Sequence, residues 1–247
     1  MHNFFVACDA VHDGVIEISG DDASHISKSL RLSAGNEITV SDGNGNSYLC
    51  LISSVNKKAI TCKIIKKSQS NTEPPIIVDL YQGIPKASKM DLIVQKCTEI
   101  GINSIIPVET ERTVVKLKDG YDLKNKLERW QRIAEEAAKQ SRRGHIPSIM
   151  EPVLFKNALE DISSYDLGII PYEEEHGVGL KEALKYKNNA HKIMIFIGPE
   201  GGFSDSEILT ARVKNVLPVT MGPRILRTET AGFVCLSIIM YEIGDMG

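Results

Sequence analysis

Two short segments hold glycine, hydroxyl and charged residues at a density that a plain turn does not need. The first, Gly198-Pro199-Glu200-Gly201-Gly202-Phe203, follows the apolar run 193–197 and precedes Ser204-Asp205-Ser206-Glu207. Ser204 and Glu207 have the spacing of a capping box, so the glycines lie between a strand end and a helix start. Backbone amides in such a turn can approach a ligand closely, at the usual place for ligands in α/β proteins. The spacing is neither that of a dinucleotide-binding fingerprint nor that of a phosphate-gripping loop, since no Gly-Lys-Ser/Thr follows. A tight structural turn is the competing reading. The second segment, 221–231, reads Met-Gly-Pro-Arg-Ile-Leu-Arg-Thr-Glu-Thr-Ala and again joins an expected strand to an expected helix. Arg227, Thr228, Glu229 and Thr230 place a cation, an anion and two hydroxyls in four residues. The bland account makes Thr228 a helix cap and Arg227–Glu229 a solvated ion pair. Loops after successive strands lie close together when those strands are neighbours, which favours a shared site.

A third segment carries charge. From Arg112 to His145 there are ten Lys or Arg against five acids, leaving +5 in a chain whose net charge is −3. Lys and Arg interleaved with Glu along a helix ordinarily form a solvated, salt-bridged face. Past the helix end, Gln140, Ser141, Arg142, Arg143, Gly144 and His145 concentrate donors suited to phosphate contacts.

These segments need elements to hold them. Residues 4–6, 15–18, 37–41, 48–55 and 59–65 alternate as short strands, with Asp42-Gly43-Asn44-Gly45 as a hairpin turn. A helical patch at 24–32 exposes Lys28 and Arg31. Residues 68–75 are polar and end in two prolines, as a linker would. Beyond them the pattern changes to alternating strand and helix, with strands expected at 76–81, 104–108, 167–170, 193–197 and 216–221. Met90, Ile93, Val94, Cys97 and Gly101 share one helical face, as do Leu123, Leu127, Trp130, Ala134 and Ala137. The unbroken Ile-Met-Ile-Phe-Ile run is that of a strand covered on both faces, as in a parallel sheet. The closing helix, 230–243, is apolar nearly all round and has to be buried on several sides, either in the core or against a partner subunit.

At 247 residues, 42% hydrophobic and 25% charged, the chain can bury a full core as one large or two modest domains. No apolar run is long enough for a membrane span, and the first residues lack a signal-peptide pattern, so a cytoplasmic location is expected. The five cysteines are widely spaced, without a C-x-x-C pair, and the six histidines are scattered. Neither a disulfide framework nor a metal site is expected.

Four segments in order, KMDLIVQKCTEIGINSIIPV, RWQRIAEEAAKQSRRGHIP, IGPEGGFSDSEI and MGPRILRTETA, closely resemble the ribosomal RNA small subunit methyltransferase E family. The likeness also includes residues 25–32. It implies a PUA-like β-barrel RNA-binding domain (1–70) followed by an α/β parallel-sheet methyltransferase domain of the SPOUT class (74–247), knotted as a trefoil. It further implies a homodimer with the closing helix at the interface, S-adenosyl-L-methionine as cofactor, and methylation of N3 of one uridine in 16S rRNA of the small ribosomal subunit. Carried over by position, the cofactor pocket uses Ile197, Gly198, Glu200, Gly201, Gly202, Leu217, Met221, Gly222, Ile225, Leu226, Arg227 and Thr230, with Pro171 and Tyr172 as a third wall. The expected RNA contacts are Lys28, Arg31, Arg112, Arg142 and Arg143. The sequence departs from the family at its start, where His2 and Asn3 stand in place of the basic residue of many relatives.

Uridine N3 loses a proton as it gains a methyl group. Arg227, with Arg143 of a partner subunit, is expected to stabilise the negative charge that develops on the uracil oxygens. Glu229, Glu200 or water would take the proton. Two other function classes compete: a non-catalytic RNA-binding or ribosome-assembly protein, which has no reason to bind the cofactor, and a nucleotide hydrolase, which would need a lysine within the glycine loop.

Overall fold

The computed structural model describes residues 3–56, 59–115 and 120–247, leaving out the side chains of Cys8 and Tyr121. His2, and Lys116, Lys118 and Asp119 of the basic stretch, lie outside the described residues. The chain forms two compact units, Met1–Glu73 with Ala138–Ile146, and Pro74–Ala137 with Pro147–Gly247. The return of 138–146 to the first unit is a feature that the division into 1–70 and 74–247 does not contain.

In the first unit, β1 (Asn3–Phe5), β2 (Val11–His12), β3 (Val15–Ser19), β4 (Glu37–Ser41), β5 (Asn46–Val55) and β6 (Ala59–Gln69) form one sheet in the order β1-β4-β5-β6-β3-β2. Its pairs are antiparallel except β1 with β4. Helix α1 (Gly20–Ser24) runs into a π-type turn, His25–Ser29. Alternate residues, among them Ile16, Ile18, Ile38, Val40, Cys50, Ile52, Ile60 and Cys62, fill one core, as a half-buried sheet requires. The β4–β5 turn is built by Asp42, whose carboxylate accepts from the amides of Asn44 (2.9 Å) and Asn46 (3.1 Å). Gly43 and Gly45 there have φ of +74° and +88°, a region that glycine enters at no steric cost.

The second unit contains β7 (Ile77–Gly83), α2 (Lys89–Ile100), β8 (Ser104–Glu109), α3 (Tyr121–Ser141, which continues into the first unit), β9 (Ser148–Ile149), β10 (Val153–Leu154), α4 (Phe155–Ala158), β11 (Leu167–Pro171), α5 (Leu180–Tyr186), β12 (Lys192–Ile197), α6 (Asp205–Val213), β13 (Val216–Val219) and α7 (Thr228–Ile243). The sheet order is β10-β8-β7-β12-β11-β13, with β9 also on β8, and every pair is parallel. Strand β12 is covered on both faces. Ile193, Ile195 and Ile197 enter a core shared with α2, α5 and α7, while Met194 and Phe196 enter the opposite core with Phe155, Phe203 and Ile208. Strands β9 and β10 have two residues each, too short to show a periodicity in sequence.

Helix α7 starts two residues before the sequence boundary of 230. Ala231, Gly232, Cys235, Leu236, Ile239 and Met240 are buried, whereas Phe233, Val234, Ser237 and Ile238 are half-buried and Tyr241 is exposed.

The donor cluster at 142–145 is mostly engaged within the first unit. Arg143 is 3% exposed, and its Nε and Nη2 donate to Glu73 Oε2 at 3.2 and 2.6 Å. The amides of Gly144 (2.8 Å) and His145 (3.1 Å) donate to the other Glu73 oxygen. In the described chain, the guanidinium expected to meet RNA and substrate therefore serves as a structural counter-ion. Removing one partner of a buried pair strands the other, so Arg143→Ala should lower unfolding free energy by about 3 kcal/mol, read from urea denaturation.

Candidate functional site

The parallel order brings the carboxyl ends of β7, β12, β11 and β13 to one edge of the second unit. From β7 the chain passes to α2, on the face of the sheet that α7 also covers. From β12 it passes to α6, on the other face. Adjacent parallel strands whose connections leave toward opposite faces open a crevice between them, the usual ligand position in such sheets. β11 lies between β12 and β13, so the two glycine-containing loops are not nearest neighbours. The loop after β11 separates them, as the third wall containing Pro171 and Tyr172.

Two cavities of about 390 and 370 Å³ open here, each in the size range of small-molecule sites. Pro171, Glu173, Ile225, Leu226 and Ala231 line both. The first adds Tyr172, His176, Thr220, Met221, Gly222, Pro223 and Arg224. The second adds Lys89, Ile197, Gly198, Pro199, Glu200, Gly202, Phe203, Arg227 and Thr228.

Glycine is needed where these walls approach one another. A Cβ on Gly83, at the end of β7, would sit 2.6 Å from Pro199, and one on Gly202, whose φ is +67°, would sit 2.9 Å from a Glu173 oxygen. The Thr228 hydroxyl donates to Gly198 O at 2.6 Å and accepts from Gln82 Nε2 at 3.0 Å. It thus ties the start of α7 to the glycine loop and to β7, and does not cap its own helix. Arg227 occupies the N-cap position, also without a side-chain cap bond. The Ser204–Glu207 capping box forms as expected. Glu207 additionally accepts from the Glu111 amide at 2.8 Å.

Three charged side chains of the second cavity, Lys89, Glu200 and Arg227, join Glu229, which is not among its lining residues, in one cluster. Lys89 Nζ is 2.8 Å from Glu200 Oε1 and 3.3 Å from Glu229 Oε2, and Arg227 Nη1 is 3.9 Å from Glu229 Oε1. Glu200 also accepts from the Lys86 amide at 3.0 Å. Partial burial alone would raise the Glu200 carboxyl, but Lys89 and the amides of Glu200 and Lys86 outweigh it and hold the group below its ordinary range. The Lys89 ammonium is raised chiefly by its bond to Glu200. Both shifts keep the pair ionised through neutral pH. Tyr172 is pushed up to about 12, first by burial and then by Asp205 and Glu174.

Nine of the expected cofactor residues line the cavities: Ile197, Gly198, Glu200, Gly202, Met221, Gly222, Ile225, Leu226 and Arg227. Three stand behind the walls. Gly201 O accepts from Arg112 at 2.9 Å, Leu217 packs on the core, and the Thr230 amide donates to Arg227 O. Arg112 therefore supports the glycine loop. Lys28, Arg31 and Arg142 are exposed in the first unit. Lys89, Gln82, Glu173 and the bridging role of Thr228 were not anticipated. One signal for Lys89 was available: a lysine opening a helix opposes the helix dipole.

Residues 72–240 match the RNA methyltransferase domain family, and residues 18–65 match the RNA methyltransferase PUA domain family. Ribosomal RNA small subunit methyltransferase E of Bacillus subtilis is 35% identical over 91% of this chain and 89% of its own. The Synechocystis protein of the same name is 32% identical over 96% and 77%. The solved structure of the Neisseria gonorrhoeae protein of that name, bound to S-adenosyl methionine, superposes with a TM-score of 0.87 at 26% identity over all of both chains. A Legionella pneumophila structure holding the same cofactor gives 0.86 at 30% identity over 99% of this chain and 98% of that one.

Replacing Thr228 by Val keeps its shape and removes both bonds, taking the hydroxyl donor from the Gly198 carbonyl and leaving one Gln82 N–H unpaired while the other donates to Gly83 O. Stability should fall by about 1–3 kcal/mol in urea unfolding, and Thr228→Ser should recover most of it.

Proposed function

Because the chain belongs to the ribosomal RNA small subunit methyltransferase E family, we propose that it methylates N3 of one uridine of 16S rRNA, using S-adenosylmethionine bound in the cleft at the ends of β7, β12, β11 and β13. The observation that carries this reading is the cleft itself, with nine of the expected cofactor residues in its walls. The donor set fits the cofactor. Gly198 and Gly202 let the loop fold tightly on itself and against Glu173, Ile197, Met221 and Leu226 offer apolar cover for an adenine, and Glu173 and Glu200 place anions where a cationic ligand sits.

S-adenosylmethionine, when bound, supplies a methyl group activated on a sulfonium. The protein's part is to orient the base, stabilise its developing anion and accept the N3 proton. Arg227 is suited to the second task, because its side chain is 83% exposed at the cavity mouth and only loosely paired. For the proton, Glu200 is the weaker candidate, being fixed by Lys86 and Lys89. Glu229, whose side chain is 14% exposed with Oε1 facing Arg227, is the acceptor favoured here. Arg143 as a catalytic cation supplied by a partner subunit is not favoured, since Glu73 already binds it.

The reading extends to the whole chain. The first unit, with Lys28, Arg31 and Arg142 exposed, carries RNA contacts. The carboxyl-terminal part closes as a SPOUT trefoil, supported by α7 starting at Gln82 and Gly198 in mid-sheet although β13 is at the edge. A homodimer forms on the half-buried stripe Phe233, Val234, Ser237 and Ile238 with the exposed Tyr241. A cytoplasmic location accompanies a ribosomal substrate.

The test is transfer of labelled methyl from S-adenosylmethionine to small subunits lacking the modification, with mapping of the labelled nucleotide. Label on N3 of a single 16S uridine is expected. Cofactor binding without transfer to any RNA would leave a non-catalytic binder as the better account. Arg227→Ala should reduce turnover about 100-fold while cofactor affinity changes only a few-fold.

A further inference from the structure

Lys89 is the first residue of α2. A cation there faces the positive end of the helix dipole and costs helix stability. It is nevertheless held by two carboxylates from elements far away in sequence, Glu200 of the glycine loop (2.8 Å) and Glu229 in the first turn of α7 (3.3 Å). Its side chain is about one-third exposed (32%) and lines the cavity beside Gly198, Arg227 and Thr228. The three residues belong to three different walls.

The geometry points to Lys89 as a positioning residue for the reaction proposed above, on which this inference rests: it clamps Glu200 and Glu229 together, setting the glycine loop against α7 and turning the Glu229 carboxylate beside Arg227. Without the ammonium, two carboxylates would face each other across one partly desolvated site, and their repulsion would part the loop from the helix. The Lys86 amide holds Glu200 from the other side, so Glu229 is the freer of the two to move. Lys89 does not act as a phosphate ligand, because two anions already neutralise it. This arrangement also differs from a solvated surface pair in that the contact to Glu229 lacks hydrogen-bond alignment and leaves Glu229 Oε2 buried. Charge placement by Lys89 holds that oxygen, leaving the other, Oε1, on the side of Arg227.

The full-length protein tests this with S-adenosylmethionine binding by calorimetry and single-turnover methyl transfer to small subunits. Lys89→Met should weaken cofactor binding about tenfold and slow transfer at saturating cofactor by a similar factor. Lys89→Arg, which retains the charge, should recover both to within about threefold. The double variant Lys89→Met/Glu200→Gln should bind the cofactor more tightly than Lys89→Met alone, because the repulsion is gone; a merely structural lysine would show the two losses adding. Wild-type affinity and rate in Lys89→Met would overturn the inference and leave the proposed function intact, as would additive losses in the double variant. Failure of the wild type to bind the cofactor would overturn both. Should Lys89→Met not fold, Lys89→Gln, which also removes the charge, takes its place in the same cycle with Glu200→Gln, and the same additivity criterion decides.

Discussion

A buried hydroxyl that donates to one loop and accepts from the end of a separate strand cannot shift without leaving two polar groups unpaired, each at a cost of about 1–3 kcal/mol. Thr228 is in that position, between Gly198 and Gln82. It holds the start of α7 at the middle of the sheet, where β7 and β12 diverge to opposite faces. The close packing of Gly83 on Pro199 enforces the same spacing from the other side. With these contacts in place, the loops after β11, β12 and β13 have one edge to share, and the cleft follows. Its walls come from loops at the ends of neighbouring strands, so its position is a property of the sheet order.

Much of this could be read from the sequence because it is local. The Ile-Met-Ile-Phe-Ile run needs only its own length to be recognised as a strand covered on both faces, and Ser204 with Glu207 needs only three residues to announce a helix start. The hairpin turn from Asp42 to Gly45 likewise carries its own chemistry in the Asp42 carboxylate and two left-handed glycines. Nine of the residues that family resemblance assigns to a cofactor line the cleft. What could not be read was non-local. Nothing in the segment 167–171 says that it lies between β12 and β13, and nothing near Arg143 says that Glu73, seventy residues earlier, consumes its charge. Thr228 at a helix start looks like a cap until the carbonyl of Gly198 is placed beneath it.

The basic stretch shows how pairing reduces a charge count. Along α3, Lys124 and Lys126 pair with Glu128 and Asp122, and Arg129 pairs with Asp91. Lys139 meets Asp22 within the first unit. Exposed pairs of this kind contribute little to stability, but each neutralises a cation that sequence counting leaves free. The solvated, salt-bridged reading therefore suits most of the helix. Arg132 and Arg142 are exposed, as is Arg112, which donates to the glycine loop at Gly201 O.

Charge at the cleft follows the opposite logic. Lys89 and Arg227 flank a single carboxylate, Glu229, one at each oxygen, yet they differ in freedom. Lys89 is fixed from two sides and lies partly within the wall, whereas Arg227 is 83% exposed and barely within ion-pair distance. A cation already neutralised by two anions has little attraction left for a third, so it serves geometry. A loosely held guanidinium can exchange its partner for an incoming anion at small cost, and its planar donors match the carbonyl oxygens of a uracil. The same carboxylate then faces a fixed charge that orients it and a mobile one that can leave as substrate charge develops. On the proposed function, that asymmetry, and not the number of charges, is what would suit this corner of the cleft to removing a proton from one atom while stabilising the anion left behind.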